Sequence, residues 1–150
     1  MKFEAILQNH VLWTALAGWF LAQAFKIPID FLRLRKWNWA TFFAAGGMPS
    51  SHSALVTSVA LATGLHEGFD KAVFAVAVAI AMVVVYDATG VRRQAGMQAQ
   101  QINILVEELL RGHPISAQHL REVIGHTPLE AIGGVFLGLV IAVVMWLILH

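Results

Sequence analysis

The feature that most constrains this chain is a set of four apolar stretches separated by more polar segments. A bilayer core is crossed by roughly 20 apolar residues, with a usual range of about 17–25. Val11 to about Pro28 forms the first stretch, with Lys26 at its end. The second, from about Ser51 to Leu65, is short and carries hydroxyls. The third runs from Ala72 to Tyr86 and is rich in Ala and Val. The last runs from about Leu129 to Leu149, and its Gly133, Gly134 and Gly138 permit close helix contact. Hydrophobic residues are 58% of the chain and charged residues 13%, far outside soluble proportions. The expectation is an all-α integral membrane bundle of about four transmembrane helices, forming a single domain over residues 1–150.

Charge placement orients the bundle. The formal net charge is only +1, so no global field draws nucleic acid. Eight of the ten Lys and Arg residues fall in two connections, Lys26 to Lys36 and Arg92 to Arg121. Those connections share one side of a four-span bundle, which the positive-inside rule makes cytoplasmic, with both termini outside. The expected location is the cell's inner (plasma) membrane. Trp37 to Phe43 is apolar but too short to span, and its tryptophans suit an interfacial or re-entrant piece. A cleavable signal peptide is a weak reading, since Glu4 follows Lys2 and no small-residue cleavage site is evident. Gln94 to Arg111 repeats apolar residues at helical spacing and reads as an amphipathic cytoplasmic-side helix, ended by Gly112-His113-Pro114.

This topology gathers several chemistry-bearing residues at one surface. Pro49-Ser50-Ser51-His52 opens the second span. A helix start there offers outward N–H groups to an anion, and an imidazole in the same turn moves protons near neutral pH. Ser50 or Ser51 also suits the helix N-cap, but capping does not explain His52. Thr127 with Glu130 reads as a capping box with Pro128 at the first helical position, which leaves His126 unexplained. Were the helix to begin a turn earlier, Glu130 would share a face with His126 and orient its ring. Asp87 ends an apolar helix, where the dipole disfavours an anion, and Arg92 or Arg93 is its simplest partner. The two arginines suit either lipid headgroups in general or a phosphate in particular. Lys26 is either a snorkelling lysine or a phosphate ligand. The remaining histidines, among them His10 and His66, show no constellation. With no cysteine there is neither a disulfide framework nor a thiolate metal site. His52, Asp87, His126 and Glu130 are conceivable metal ligands, but the arginines favour an anion, so no metal or cofactor is expected.

The segments GGMPSSHSALVTS, YDATGVRRQAG and GHTPLEAIGG together resemble the divergent branch of the type 2 phosphatidic acid phosphatase superfamily. The likeness spans about Lys26 to Gly138. It implies an all-helical core and phosphatase chemistry through a phosphohistidine. By that resemblance Ser50 and the Ser51 backbone would bind phosphate, and His52 would protonate the leaving oxygen. His126 would be the nucleophile, Glu130 its orienting carboxylate, and Lys26 the first-motif lysine. The pattern departs in places: Ser51 stands for glycine, Glu130 for aspartate, and the first motif's arginine-proline pair is absent. Leu120 occupies the last motif's arginine position, so Arg121, Arg92 or Arg93 would supply that charge. The resulting expectation is a membrane phosphatase acting on a phosphorylated lipid such as phosphatidylglycerophosphate at the cytoplasmic face. The competing class is a non-catalytic membrane protein that binds or translocates anionic lipids. The glycine-bearing last span is suited to a homodimer contact.

Overall fold

The computed structural model describes residues 4–35, 37–43, 46–110 and 126–149. Six α-helices follow in order: α1 (Glu4–Leu7), α2 (His10–Leu34), α3 (Ser51–Glu67), α4 (Ala72–Thr89), α5 (Val91–Leu110) and α6 (Pro128–Leu149). A 3-10 turn at Trp39–Phe43 lies between α2 and α3, and no strand occurs among the described residues. Three stretches are long and apolar enough to cross a membrane: His10–Leu32, Ala72–Glu107 and Pro128–Leu149.

The second apolar stretch of the sequence becomes α3, the shortest of the bundle helices at 17 residues. It packs against α2, α4 and α6 at once. Its buried residues are small and often hydroxylic: Ser51, Ser53, Ala54, Thr57, Ser58, Ala60, Ala62, Thr63 and Gly64. A helix surrounded by helices needs close backbone approach more than lipid-facing bulk. That is why α3 is less apolar than its neighbours. The approach is tight at three glycines. A Cβ on Gly18 of α2 would overlap the Ser58 hydroxyl, and one on Gly134 of α6 would overlap the Ser50 carbonyl. One on Gly138 would stand 2.6 Å from the Ala54 carbonyl oxygen. Ser58 Oγ also donates to the Gly138 carbonyl across the α3–α6 contact at 3.2 Å. By contrast α4 and α6 leave Val76, Ile80, Val83, Ile132 and Phe136 exposed, a surface suited to hydrocarbon.

Helix α2 runs beyond the expected end near Pro28 and stops at Arg35, whose left-handed backbone lets its N–H bond the Phe31 carbonyl at 2.8 Å. Pro28 removes one donor without breaking the helix, since the apolar pattern continues to Leu34. The chain then folds back along α2. Trp37 stacks on Phe31 with ring centroids 4.4 Å apart, and Phe42 meets Phe20 edge to face at 5.8 Å. Helix α5 starts at Val91, three residues before its expected start, joined to α4 through Gly90. The expected stop at Gly112-His113-Pro114 lies outside the described residues.

Candidate active site

Two backbone hydrogen bonds set the geometry of one end of the bundle. The Ser50 N–H donates to the Glu130 carbonyl at 3.0 Å, which ties the start of α3 to the start of α6. The His126 N–H donates to the Ala88 carbonyl at 3.0 Å, which ties the approach to α6 to the end of α4. Three elements far apart in sequence therefore meet where their ends fall.

Ser50 caps α3. Its hydroxyl oxygen accepts from the Ser53 N–H at 3.3 Å and from the Ser53 hydroxyl at 3.1 Å, which leaves its own proton to donate. Ser50 and Ser51 are almost fully buried, while His52 in the same turn is exposed. The turn before them wraps over α2. Gly47 has φ +92, and a Cβ there would come within 3.9 Å of Lys26 Cδ. Lys26 is completely buried, so it is not a snorkelling lysine at a lipid boundary. The charges of Glu130 and Asp30 reach it.

At the start of α6 the capping box forms as its spacing predicts. The Thr127 N–H donates to Glu130 Oε2 at 3.1 Å, and the Glu130 N–H donates to Thr127 Oγ1 at 3.3 Å. The same Oε2 lies 3.2 Å from Nδ1 of His126. The helix need not start a turn earlier for this contact, because the imidazole folds back over the first turn from outside the helix. A carboxylate only accepts, so Nδ1 donates to it, and Nε2 is the ring nitrogen left to present a lone pair when the ring carries a single proton. His126 is 4% exposed, and its Nε2 is buried without a hydrogen-bond partner. The His52 ring lies close by, with centroids 6.3 Å apart and planes inclined at 57°.

The structure thus brings Lys26, Ser50, Ser51, His52, His126 and Glu130 to one place. Asp87 is half-buried and precedes the Ala88 that anchors His126. Arg92 and Arg93 lie in the first turn of α5, and the Arg93 side chain is exposed. Arg121 lies outside the described residues. Among the described residues no group of three or more His, Cys, Asp or Glu gathers as a metal site.

Two features have no counterpart in the motif reading. Gln23 is buried on α2, with its Oε1 lacking a hydrogen-bond partner. A polar side chain inside an apolar span is the signal that marks it. At the opposite end of the bundle, His10 and His66 stack with centroids 5.3 Å apart. No spacing rule connects the first turn of α2 with the last turn of α3, so this pair is visible only once the helices are placed.

Apolar helices long enough to cross a bilayer define an integral membrane protein, with two histidines beside a capped helix start at one end of its bundle. The family model described as "Divergent PAP2 family" matches residues 7–141, and the chain belongs to that family. It is similar to "Uncharacterized membrane protein YuiD" of Bacillus subtilis (strain 168), with 39% identity over 151 residues, covering 93% of this chain and 96% of that protein. No solved structure matches it.

Proposed function

We propose that this protein hydrolyses the phosphomonoester (or pyrophosphate) headgroup of a membrane lipid through a phosphohistidine intermediate. The observation that carries this reading is the His126 imidazole. Its Nδ1 is held by Glu130, its Nε2 is buried and unpartnered, and a second imidazole lies 6.3 Å away. Nucleophile, orienting group and proton donor are the parts that such chemistry requires.

In the proposed cycle the phosphate sits against the start of α3. The Ser50 hydroxyl and the first-turn N–H groups donate to it, and the Lys26 ammonium neutralises it. The Nε2 lone pair of His126 attacks phosphorus in line, and the bond from phosphorus to the lipid oxygen breaks. The leaving alkoxide takes its electron pair and receives a proton from the His52 imidazolium. Glu130 stabilises the positive charge that develops on His126. Water then attacks the phosphohistidine while His52 takes its proton, releasing inorganic phosphate and restoring both rings. By the family resemblance Arg92, Arg93 or Arg121 would supply further positive charge to the phosphate.

A lipid substrate is supported by an apolar groove of about 480 Å³ beside this end of the bundle, lined by Thr57, Met82, Val85, Tyr86, Thr89 and Val135. Thr89 follows Ala88 directly, so the groove begins where His126 is anchored. The clustering of basic residues favours a cytoplasmic site in the plasma membrane. An intermediate of phospholipid synthesis on that leaflet, such as phosphatidylglycerophosphate, fits it. The test is phosphate release by the purified protein from a panel of lipid phosphates, with His52→Ala and His126→Ala as controls. Release by wild type that both variants lose supports the reading. Equal release by wild type and His126→Ala ends it. A protein that only binds or carries anionic lipids would release none, and vanadate would not change its behaviour.

A further inference from the structure

Helix α5 lies past the end of α4 and leaves an apolar stripe uncovered. With 18 residues, α4 rises about 27 Å, close to the roughly 30 Å of a hydrocarbon core, so α5 begins where the bilayer ends. Among the described residues α4 is the one helix against which α5 makes more than a marginal contact. Val91, Ala95, Gln98, Ile102, Leu105 and Leu109 are all exposed. They follow one another at alternating steps of four and three residues, the spacing of a coiled-coil seam. Met97 and Ile104, the other large exposed apolar residues of α5, lie more than a quarter turn round the helix from this stripe. The glycines of α6 cannot serve a second copy in its place, since Gly133, Gly134 and Gly138 face Met48, Ser50 and Ala54 of the same chain.

Charge decides what covers the stripe. A helix that lies on a bilayer surface carries Lys and Arg on its polar face, whereas residues 94–110 hold neither and include Glu107 and Glu108, which an anionic leaflet repels. The end charges of α5 also oppose its own dipole, with Arg92 and Arg93 in the first turn and Glu107 and Glu108 in the last. An antiparallel helix alongside reverses that conflict, since it sets glutamates beside arginines and one dipole against the other. Two copies inserted the same way round are related by a two-fold axis along the membrane normal, and helices lying across such an axis run antiparallel. We propose that a second copy of this chain docks on the α5 stripe, the two helices forming an antiparallel coiled coil at the end of the bundle that holds His126. In that pairing Val91 is level with the partner's Leu109, Ala95 with the partner's Leu105, Gln98 with the partner's Ile102, and Arg93 with the partner's Glu107. The stripe reads the same from either copy, as a two-fold contact requires. Gln98, the one polar residue in it, fixes the register.

The experiment measures the mass of the purified full chain in mild detergent by light scattering, together with cross-linking in membranes. Wild type is expected to be a dimer. The double variant Ile102→Glu with Leu105→Glu is expected to be a monomer with unchanged helix content, because both side chains are exposed within one copy. The chain has no cysteine, so each introduced thiol reports alone. Ala95→Cys and Leu105→Cys chains made in the same membrane are expected to join by a disulfide on oxidation. Leu105→Cys chains alone are not, since antiparallel pairing sets the two thiols ten positions apart, about 15 Å along the helices. A monomeric wild type overturns the proposal, as does a dimer that survives the double variant. Should the double variant fail to fold, the thiols decide: joining of Ala95→Cys to Leu105→Cys supports the proposal. Joining of Leu105→Cys to itself, or no joining at all, overturns it.

Discussion

Glu130 holds His126 with the same carboxylate oxygen that closes its own helix cap: Oε2 lies 3.2 Å from His126 Nδ1 and 3.1 Å from the Thr127 N–H. One side chain therefore starts α6 and fixes an imidazole tautomer. Glu130→Gln keeps the shape but offers an amide that can also present its NH₂ to Nδ1, which favours the wrong tautomer. Activity is expected to fall by on the order of 10²-fold or more, as when a triad carboxylate becomes an amide. Steady-state phosphate release from a lipid phosphate checks this. A Glu130→Gln protein within twofold of wild type would show that the carboxylate does no more than cap the helix.

The two roles of Glu130 separate through its partner in the cap. Thr127→Ala removes the hydroxyl that receives the Glu130 N–H but leaves the contact between His126 and Glu130 in place. Loss of an N-cap side chain typically costs about 1 kcal/mol. The expected outcome is a modest drop in thermal stability in detergent with most activity retained. A Thr127→Ala protein as inactive as His126→Ala, yet as stable as wild type, would place Thr127 in the chemistry instead.

His52 is exposed beside the buried His126, which leaves the proposed proton donor open to exchange with water. His52→Ala is expected to slow turnover by about 10²–10⁴-fold, the usual contribution of a general acid. The loss should shrink for a substrate whose leaving group needs no proton, such as a nitrophenyl phosphate. Equal losses on both substrates would assign His52 to binding.

Much of this arrangement is legible in the sequence, and for definite physical reasons. Apolar stretches of membrane length separate α2, α4 and α6 from their connections, and alternation of spans puts residues 26, 50, 88 and 126 at one end. The Thr127-Pro128-Glu130 spacing fixes the start of α6 because capping is local. What escapes is set by packing between helices. The sequence makes Lys26 look like a span-end lysine, yet it is completely buried, its Cδ 3.9 Å from where a Cβ on Gly47 would stand. The His10–His66 stack and the burial of Gln23 depend on the register between α2 and α3, which Gly18, Ala54 and Ser58 set by close approach. No local periodicity encodes that register.

That register also makes a stability prediction. Gly138 faces the Ala54 carbonyl oxygen at 2.6 Å from where a Cβ would stand, and 3.0 Å from Thr57 Cβ. Neither neighbour is the free end of a flexible chain, so a side chain must push α6 away from α3. Gly138→Leu is expected to cost at least about 1–3 kcal/mol, the range for overpacking a closed contact. It should also break the Ser58–Gly138 hydrogen bond. Thermal unfolding of the purified protein measures the cost, and an unchanged midpoint would contradict the close α3–α6 packing.

Lys26 gives the sharpest separation between structure and function. A buried ammonium is costly to desolvate, but removing one member of a buried charge pair strands the other and typically costs about 3–5 kcal/mol. The carboxylates whose charges reach Lys26 are Glu130, already held by Thr127 and His126, and Asp30. Lys26→Met is therefore expected to unfold at a lower temperature than wild type. Phosphate, which receives a charge-assisted hydrogen bond from the ammonium in the proposed site, should bind about 10–100-fold more weakly, as expected for one such bond. Differential scanning fluorimetry and competition by inorganic phosphate measure the two effects on one preparation. If stability collapses while phosphate competition in the surviving protein is unchanged, Lys26 serves the ion pairing of the bundle and not the anion.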